Sequence, residues 1–75
     1  MLLSDAKKNL YYKIHEIKAD NNLKKRLQVL GLTNGAKIEI LNKNINGSLI
    51  FRVRGTKIAI SKKISSLICI EEDHI

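Results

Sequence analysis

Turn-forming residues recur along this chain and leave room only for short strands between them. Asn34-Gly35 is a strong turn signal, residues 42–47 form a polar loop, and Gly55-Thr56 marks a tight turn. Between the turns, polar and apolar residues alternate, as in strands with one buried face. The third segment shows this best, with Leu49, Phe51 and Val53 on one face. The alternation predicts strands over residues 10–17, 36–41, 48–54, 57–60 and 67–70.

Five short strands and one short helix predict an all-β fold, a small barrel of the SH3-like or OB type. We expect the barrel to be closed or nearly closed, because an open sheet of this length would leave apolar edges unpaired. All 75 residues fit a single domain. The acidic end, residues 71–75, is expected to fray.

One segment has the periodicity of a helix instead of a strand. Three leucines recur at i, i+4 and i+7, with polar residues on the opposite side. Asp20 and the two asparagines after it can cap this helix. Gly31 is expected to end it, and Leu32 to fold back onto its last turn. The leucines are Leu23, Leu27 and Leu30, and the polar residues are Lys24, Lys25 and Gln28. A single helical turn capped by Ser61 is predicted over residues 62–66.

The core must be mainly aliphatic, because hydrophobic residues make up 44% of the chain and only 4% of residues are aromatic. Phe51 is expected in this core. A barrel of this size is not expected to hold a pocket of several hundred Å³. Cys69 is the single cysteine, so an internal disulfide is excluded, and we expect it to be buried in a protein of a reducing compartment. No signal-peptide pattern or bilayer-spanning apolar run is visible, which predicts a cytoplasmic protein.

A net charge of +7 raises the alternative of a small barrel that binds nucleic acid. Arg52, Arg54 and Lys57 would contact phosphates in that interpretation. We favour a solvated basic surface, because lysine dominates the basic set and accompanies an enrichment in isoleucine and asparagine that is typical of AT-rich coding sequences. Nucleic acid is therefore not the expected partner.

The residues give no sign of catalysis. Carboxylates are scattered or lie in the acidic end, and no serine, histidine and aspartate set shares a plausible site. His15 and His74 are too few for a metal site, which needs three or four ligands, and no phosphate-binding loop is present. We therefore expect a protein that is not an enzyme, with no cofactor and no metal site.

The stretch from Arg26 to Ile40 carries the most specific motif. Its sequence, RLQVLGLTNGAKIEI, resembles the hallmark of the FeoA family, small SH3-like proteins that accompany the ferrous-iron permease. Residues 53–61 and 62–70 are similar to the family's later strands and short helix, and the opening residues match as well. Asn9 stands where the family commonly has glycine.

The resemblance implies a cytoplasmic accessory protein of bacterial ferrous-iron uptake that acts at the inner face of the membrane. Its partner would be the permease, whose N-terminal region is a GTP-binding domain, and no part of the chain would insert into the bilayer. The expected contact surface is the helix face together with the loop over residues 42–47, and Arg26 either braces the barrel or reaches the partner. Partner-binding residues are Lys24, Lys25, Arg26 and Gln28, and structural ones are Leu23, Leu27, Leu30, Gly31, Leu32, Gly35 and Gly55.

Two further alternatives stay open. Related SH3-like domains occur at the C-terminus of metal-dependent repressors, so the chain could be a detached regulatory domain of that type. Such barrels can also pair, which makes a homo-oligomer another expectation.

Overall fold

Five antiparallel strands and two helices make up the described part of the chain, residues 1–73 of a computed structural model. A short 3-10 turn, Leu3–Asp5, precedes them. The predicted β-rich fold with one short helix is confirmed, as is the single helical turn before the last strand. The elements are β1 Tyr11–Ile17, α1 Asn21–Val29, β2 Lys37–Lys43, β3 Leu49–Val53, β4 Thr56–Ile60, α2 Lys62–Ser65 and β5 Ile68–Glu72.

The strands form one sheet in the order β4-β3-β2-β1-β5. The register shifts between Ile14 and Glu16 in β1 and between Ile40 and Asn42 in β2, and such bulges bend a strand and increase its twist. Leu2 pairs with Cys69 beyond the outer edge of β5. The outer edge of β4 pairs with nothing within residues 1–73, so the barrel is nearly closed, with one edge left open.

The core is aliphatic apart from Tyr12 and Phe51, both fully buried. Tyr12 keeps its polar end satisfied, because its hydroxyl accepts a hydrogen bond from the Lys7 backbone N–H at 2.9 Å. The predicted inward face of β3, with Leu49, Phe51 and Val53, is confirmed. The other buried apolar residues are Leu3, Ala6, Ile14, Ile17, Leu27, Leu32, Ala36, Ile38, Ile40, Leu49, Val53, Ile58, Ile60, Ile68 and Ile70.

Helix α1 has the predicted caps at both ends. The Asp20 carboxylate accepts from the Leu23 N–H at 2.8 Å. After the helix, Gly31 donates its N–H to the Gln28 carbonyl and Leu32 donates to the Leu27 carbonyl, the two hydrogen bonds of a Schellman motif.

The prediction that Leu30 lies on the buried stripe is wrong, because Leu30 is 44% exposed. It caps the helix where the chain turns away at Gly31, and the fully buried Leu32 takes the core position instead. Leu23 is half-buried against the core, and Leu27 is buried.

The expected fraying of residues 71–75 is also wrong for the part that the structure describes. Glu71 and Glu72 complete β5, where they pair with Lys13 and Tyr12 of β1. The Asp73 N–H donates to the Tyr11 carbonyl at 3.1 Å. Backbone pairing with β1 holds this segment although its side chains are polar. His74 and Ile75 lie outside the described residues, so the interpretation of His74 stays a prediction.

Candidate partner-binding surface

The four residues predicted to contact a partner lie together on α1. Lys25, Arg26 and Gln28 are exposed, and Lys24 is half-buried. None of these side chains forms a hydrogen bond or an ion pair with any residue in the described range 1–73. Arg26 therefore makes no polar contact within that range that would brace the barrel, and its role stays a prediction.

Two apolar residues at the end of α1 extend this surface. Val29 is 86% exposed and Leu30 is 44% exposed. The leucine spacing assigned Leu30 to the core, so the sequence pattern gave no sign of this exposed pair. We call Lys24, Lys25, Arg26, Gln28, Val29 and Leu30 together the helix surface. Cations beside exposed apolar residues suit a partner surface that is apolar at its centre and acidic at its rim.

The segment after α1 is held in place by residues far away in sequence. Gly31 has φ +95°, and a Cβ added there would lie 3.3 Å from Arg54 Cδ. Arg54 also donates from a guanidinium nitrogen to Thr33 Oγ1 at 3.4 Å. The Gly35 N–H donates to the Ile14 carbonyl at 2.7 Å, which fixes the turn against β1. The predicted structural roles of Gly31 and Gly35 thus correspond to defined contacts, and Gly55 has φ +78° in the β3–β4 turn.

A cleft of about 510 Å³ opens between the end of β1, one side of α1 and the turn that follows α1. This cleft was not predicted, and it does not bear on the expectation that the barrel itself holds no pocket of several hundred Å³. The cleft does not lie inside the barrel; it forms outside the sheet, where three separate segments meet. Its lining residues are Glu16, Ile17, Lys24, Gln28, Leu32, Thr33 and Asn34.

The basic residues proposed for nucleic-acid binding do not form a free cluster. Arg52 forms an ion pair with Glu39 at 3.0 Å, and Glu39 also accepts from the Tyr11 hydroxyl at 3.2 Å. Arg54 packs against Gly31 and Thr33. Of the three, Lys57 alone is exposed and without a side-chain partner in the range 1–73. A second, smaller cleft of about 260 Å³ is lined in part by Tyr11, Arg52 and Arg54.

The loop between β2 and β3, the other predicted contact region, is tied down by its own polar groups. The Asn44 amide donates to the Ser48 hydroxyl at 2.8 Å, and the Ser48 N–H donates to the Asn46 side chain at 3.1 Å. Ile45 projects fully into solvent from the tip. Arg54, in the turn at the other end of β3, lies beside Gly31 at the end of α1. This loop and the C-terminal end of the helix surface therefore lie toward opposite ends of β3.

Few residues of the described range offer other chemistry. His15 is exposed at the β1 bulge. Cys69 is half-buried, and so more accessible than predicted. No group of three or more histidine, cysteine or acidic side chains within residues 1–73 is placed to hold a metal ion. No helix in that range is long and apolar enough to cross a membrane.

Comparison with solved structures supports the assignment of the fold. An iron uptake regulatory protein (FeoA) superposes with a TM-score of 0.89 at 26% identity, over 96% of each chain. The FeoA of Stenotrophomonas maltophilia complexed with zinc, described as an SH3 domain protein, superposes with a TM-score of 0.80 at 20% identity, over 95% of this chain and 89% of that one. The SH3-like architecture is therefore confirmed.

A manganese-dependent transcriptional repressor has the same fold within a longer chain. It superposes with a TM-score of 0.81 at 11% identity, over 91% of this chain and 39% of that one. A search of curated proteins finds no match. The FeoA domain family matches residues 1–72, nearly the whole sequence. This chain is a member of the FeoA family.

Proposed function

We propose that this protein is a cytoplasmic accessory factor of ferrous-iron uptake that binds the GTP-binding part of the ferrous-iron permease through the helix surface. Membership of the FeoA family supports the link to iron transport. The single observation that supports the contact region is that Lys24, Lys25 and Arg26 lie together on one helix without an ion-pair partner in residues 1–73. On this proposal the protein acts by binding and catalyses no reaction.

Steering by the basic helix would let a small barrel find a larger, acidic partner quickly, because complementary charge raises association rates. The exposed Val29 and Leu30 would then supply the apolar contact that slows dissociation.

The test is binding of the purified cytosolic domain of the permease to the full chain, measured by calorimetry. We expect the triple variant Lys24→Glu, Lys25→Glu, Arg26→Glu to weaken binding by about tenfold or more, because each reversal turns attraction at the rim into repulsion. A matched variant, Lys8→Glu, Lys57→Glu, Lys63→Glu, lowers the net charge equally from exposed positions outside α1. It should retain near-normal affinity.

Equal losses in the two variants would show that net charge, not the helix surface, governs binding. Absence of any binding by the unmodified chain would reject the proposal itself.

Nucleic-acid binding is less well supported, because two of the three proposed contact residues, Arg52 and Arg54, are engaged within the protein. That alternative predicts salt-sensitive binding, so the lack of any DNA or RNA shift at about 50 mM salt would end it. The likeness to a repressor concerns the fold alone. Self-association stays a prediction, which sedimentation at several protein concentrations would test.

A further inference from the structure

We infer that the cleft beside α1 binds an extended, acidic peptide segment of a protein partner. This inference rests on the proposed function and goes beyond it, since it names the chemical form of what is bound and a second wall of the site. The cleft shares Lys24 and Gln28 with the helix surface, and its other walls come from β1 and the turn after α1. A partner that contacts Lys24 and Gln28 would therefore reach the cleft as well.

The walls of the cleft are fixed before anything binds. The Asp20 carboxylate caps α1 at its N-terminus, and the Schellman motif closes its C-terminus. Arg54 donates a hydrogen bond to Thr33, and the Gly35 N–H donates to the Ile14 carbonyl in the middle of β1. A preformed site loses little conformational entropy when it is occupied, which favours binding.

Four polar side chains around the cleft have no hydrogen-bond or ion-pair partner within residues 1–73: Glu16, Lys24, Gln28 and Asn34. Together they offer donors from the ammonium and the two amides, and acceptors from the carboxylate and the amides. A peptide backbone carries one donor and one acceptor per residue, so an extended segment can use both kinds of group.

A phosphate group would fit less well. It presents acceptors almost exclusively, so it could not use the acceptor oxygens of Glu16 and of the two amides. The mixed lining therefore favours a peptide over a nucleotide.

The charges near the cleft indicate the character of the peptide. Lys24 and Glu16 offset each other in the lining, whereas Lys18, next to Ile17 in the chain, and Lys25, next to Lys24, are exposed cations. The surroundings are thus net positive, and an acidic segment is favoured. Ile17 and Leu32 close the floor but are almost fully buried, so the recognition is chiefly polar.

The experiment titrates the isotopically labelled full chain with synthetic peptides whose overlapping sequences cover the permease's cytosolic domain. Binding is detected by changes in the amide chemical shifts of the labelled chain. We expect shifts to cluster at residues 16–17, 24, 28 and 32–34. Gln28→Trp, which fills the cleft from the helix side, should weaken the peptide interaction by about tenfold or more. Asn22→Trp adds the same side chain at an exposed α1 position outside the cleft. It should change the affinity for the peptide by no more than about twofold.

Asn34→Trp fills the cleft from the opposite wall and serves if Gln28→Trp fails to fold. Random acidic peptides displayed on phage supply a probe that does not depend on the permease. Peptides selected for binding to the unmodified chain should bind the cleft-filling variants weakly and the Asn22→Trp variant normally.

The two proposals can fail separately. If the charge-reversal variant loses the permease domain while Gln28→Trp binds it normally, the cleft inference is overturned and the proposed function stands. If the unmodified chain ignores the permease domain but selects phage peptides through the cleft, the choice of partner is wrong and the cleft inference stands. Peptide-induced shift changes centred on the sheet face near Tyr11 and Arg52 would also overturn the cleft inference.

Discussion

Gly31 is the residue on which the loop after α1 depends most, for two reasons. Its φ of +95° lies in the left-handed region that glycine adopts without strain, and its missing side chain leaves room for Arg54. The first reason could be predicted, since glycine after an amphipathic segment indicates a helix C-terminus. The second could not, because Arg54 is distant in sequence and nothing in the local pattern links the two positions.

We predict that Gly31→Ala lowers the free energy of unfolding by about 2 kcal/mol, the sum of left-handed backbone strain and a crowded contact with Arg54. Gly35→Ala is the matched control. Its φ is +85°, but a Cβ there would meet nothing within 4 Å, so we expect a loss of about 1 kcal/mol from strain alone. Chemical denaturation measures both.

In an Arg54→Ala background the cost of Gly31→Ala should fall toward that of Gly35→Ala, because the crowding is gone. Identical costs for the two glycines in the unmodified background would refute the role assigned to Arg54.

At the scale of elements, the strands and helices could be predicted to within two residues at each end, because alternation and turn residues are local signals. The errors arise where a non-local contact decides. Glu71 and Glu72 look like a solvated end in the sequence, yet pairing with β1 makes them a strand. Asn9, where the family commonly has glycine, adopts φ +68°, a conformation that asparagine tolerates better than most residues.

Strand β4 offers a test of the sheet register. Arg54 and Gly55 both have positive φ, as in a two-residue type I′ hairpin, so Val53 and Thr56 form the hydrogen-bonded pair that closes it. Hydrogen-bonded pairs alternate in an antiparallel ladder. The N–H groups of Thr56, Ile58 and Ile60 therefore point to β3, and that of Ala59 points to the open edge.

We predict that Ala59→Pro is tolerated, with a loss of about 1 kcal/mol or less, because it removes a donor that faces solvent. Ile58→Pro should cost about 3 kcal/mol more than Ile58→Ala, since it also breaks a ladder bond and the alanine variant accounts for the lost side chain. Thermal unfolding of the four proteins gives the comparison. Severe destabilisation by Ala59→Pro would mean that the outer edge is occupied.

At the scale of the whole molecule, the barrel could be predicted and the cleft could not. Strand number and turn spacing are visible in the sequence, and they limit the fold to a few architectures. The cleft, by contrast, is built from β1, α1 and the turn after α1, and its existence depends on how these segments are placed relative to one another. Lys24 and Gln28 could be selected as surface residues, but Glu16, Thr33 and Asn34 carry no signal that would group them with α1.

A net charge of +7 on so small a protein should make its stability depend on salt. We expect the free energy of unfolding to rise by about 1 kcal/mol between about 50 mM and about 500 mM sodium chloride, as self-repulsion is screened. Two ion pairs among the described residues, Arg52 with Glu39 and Lys37 with Asp73, oppose this rise only weakly because they are partly exposed.

The control is the charge-reversal variant of α1, which has three cations replaced by anions and so a net charge six lower than +7. Its stability should change much less over the same range, as measured by denaturant titration at each salt concentration. A fall in stability with salt in the unmodified chain would contradict the expectation.

Tyr11 and Tyr12 are adjacent in β1 but lie on opposite faces of the sheet, and this gives the protein two separate optical reporters. Tyr12 is sealed in the core, whereas Tyr11 is 44% exposed beside Glu39. A soluble quencher should therefore reach Tyr11 emission in the folded protein and Tyr12 emission only after unfolding. Because the chain has no tryptophan, excitation at a wavelength that tryptophan absorbs and tyrosine does not would excite only the tryptophans of a bound partner.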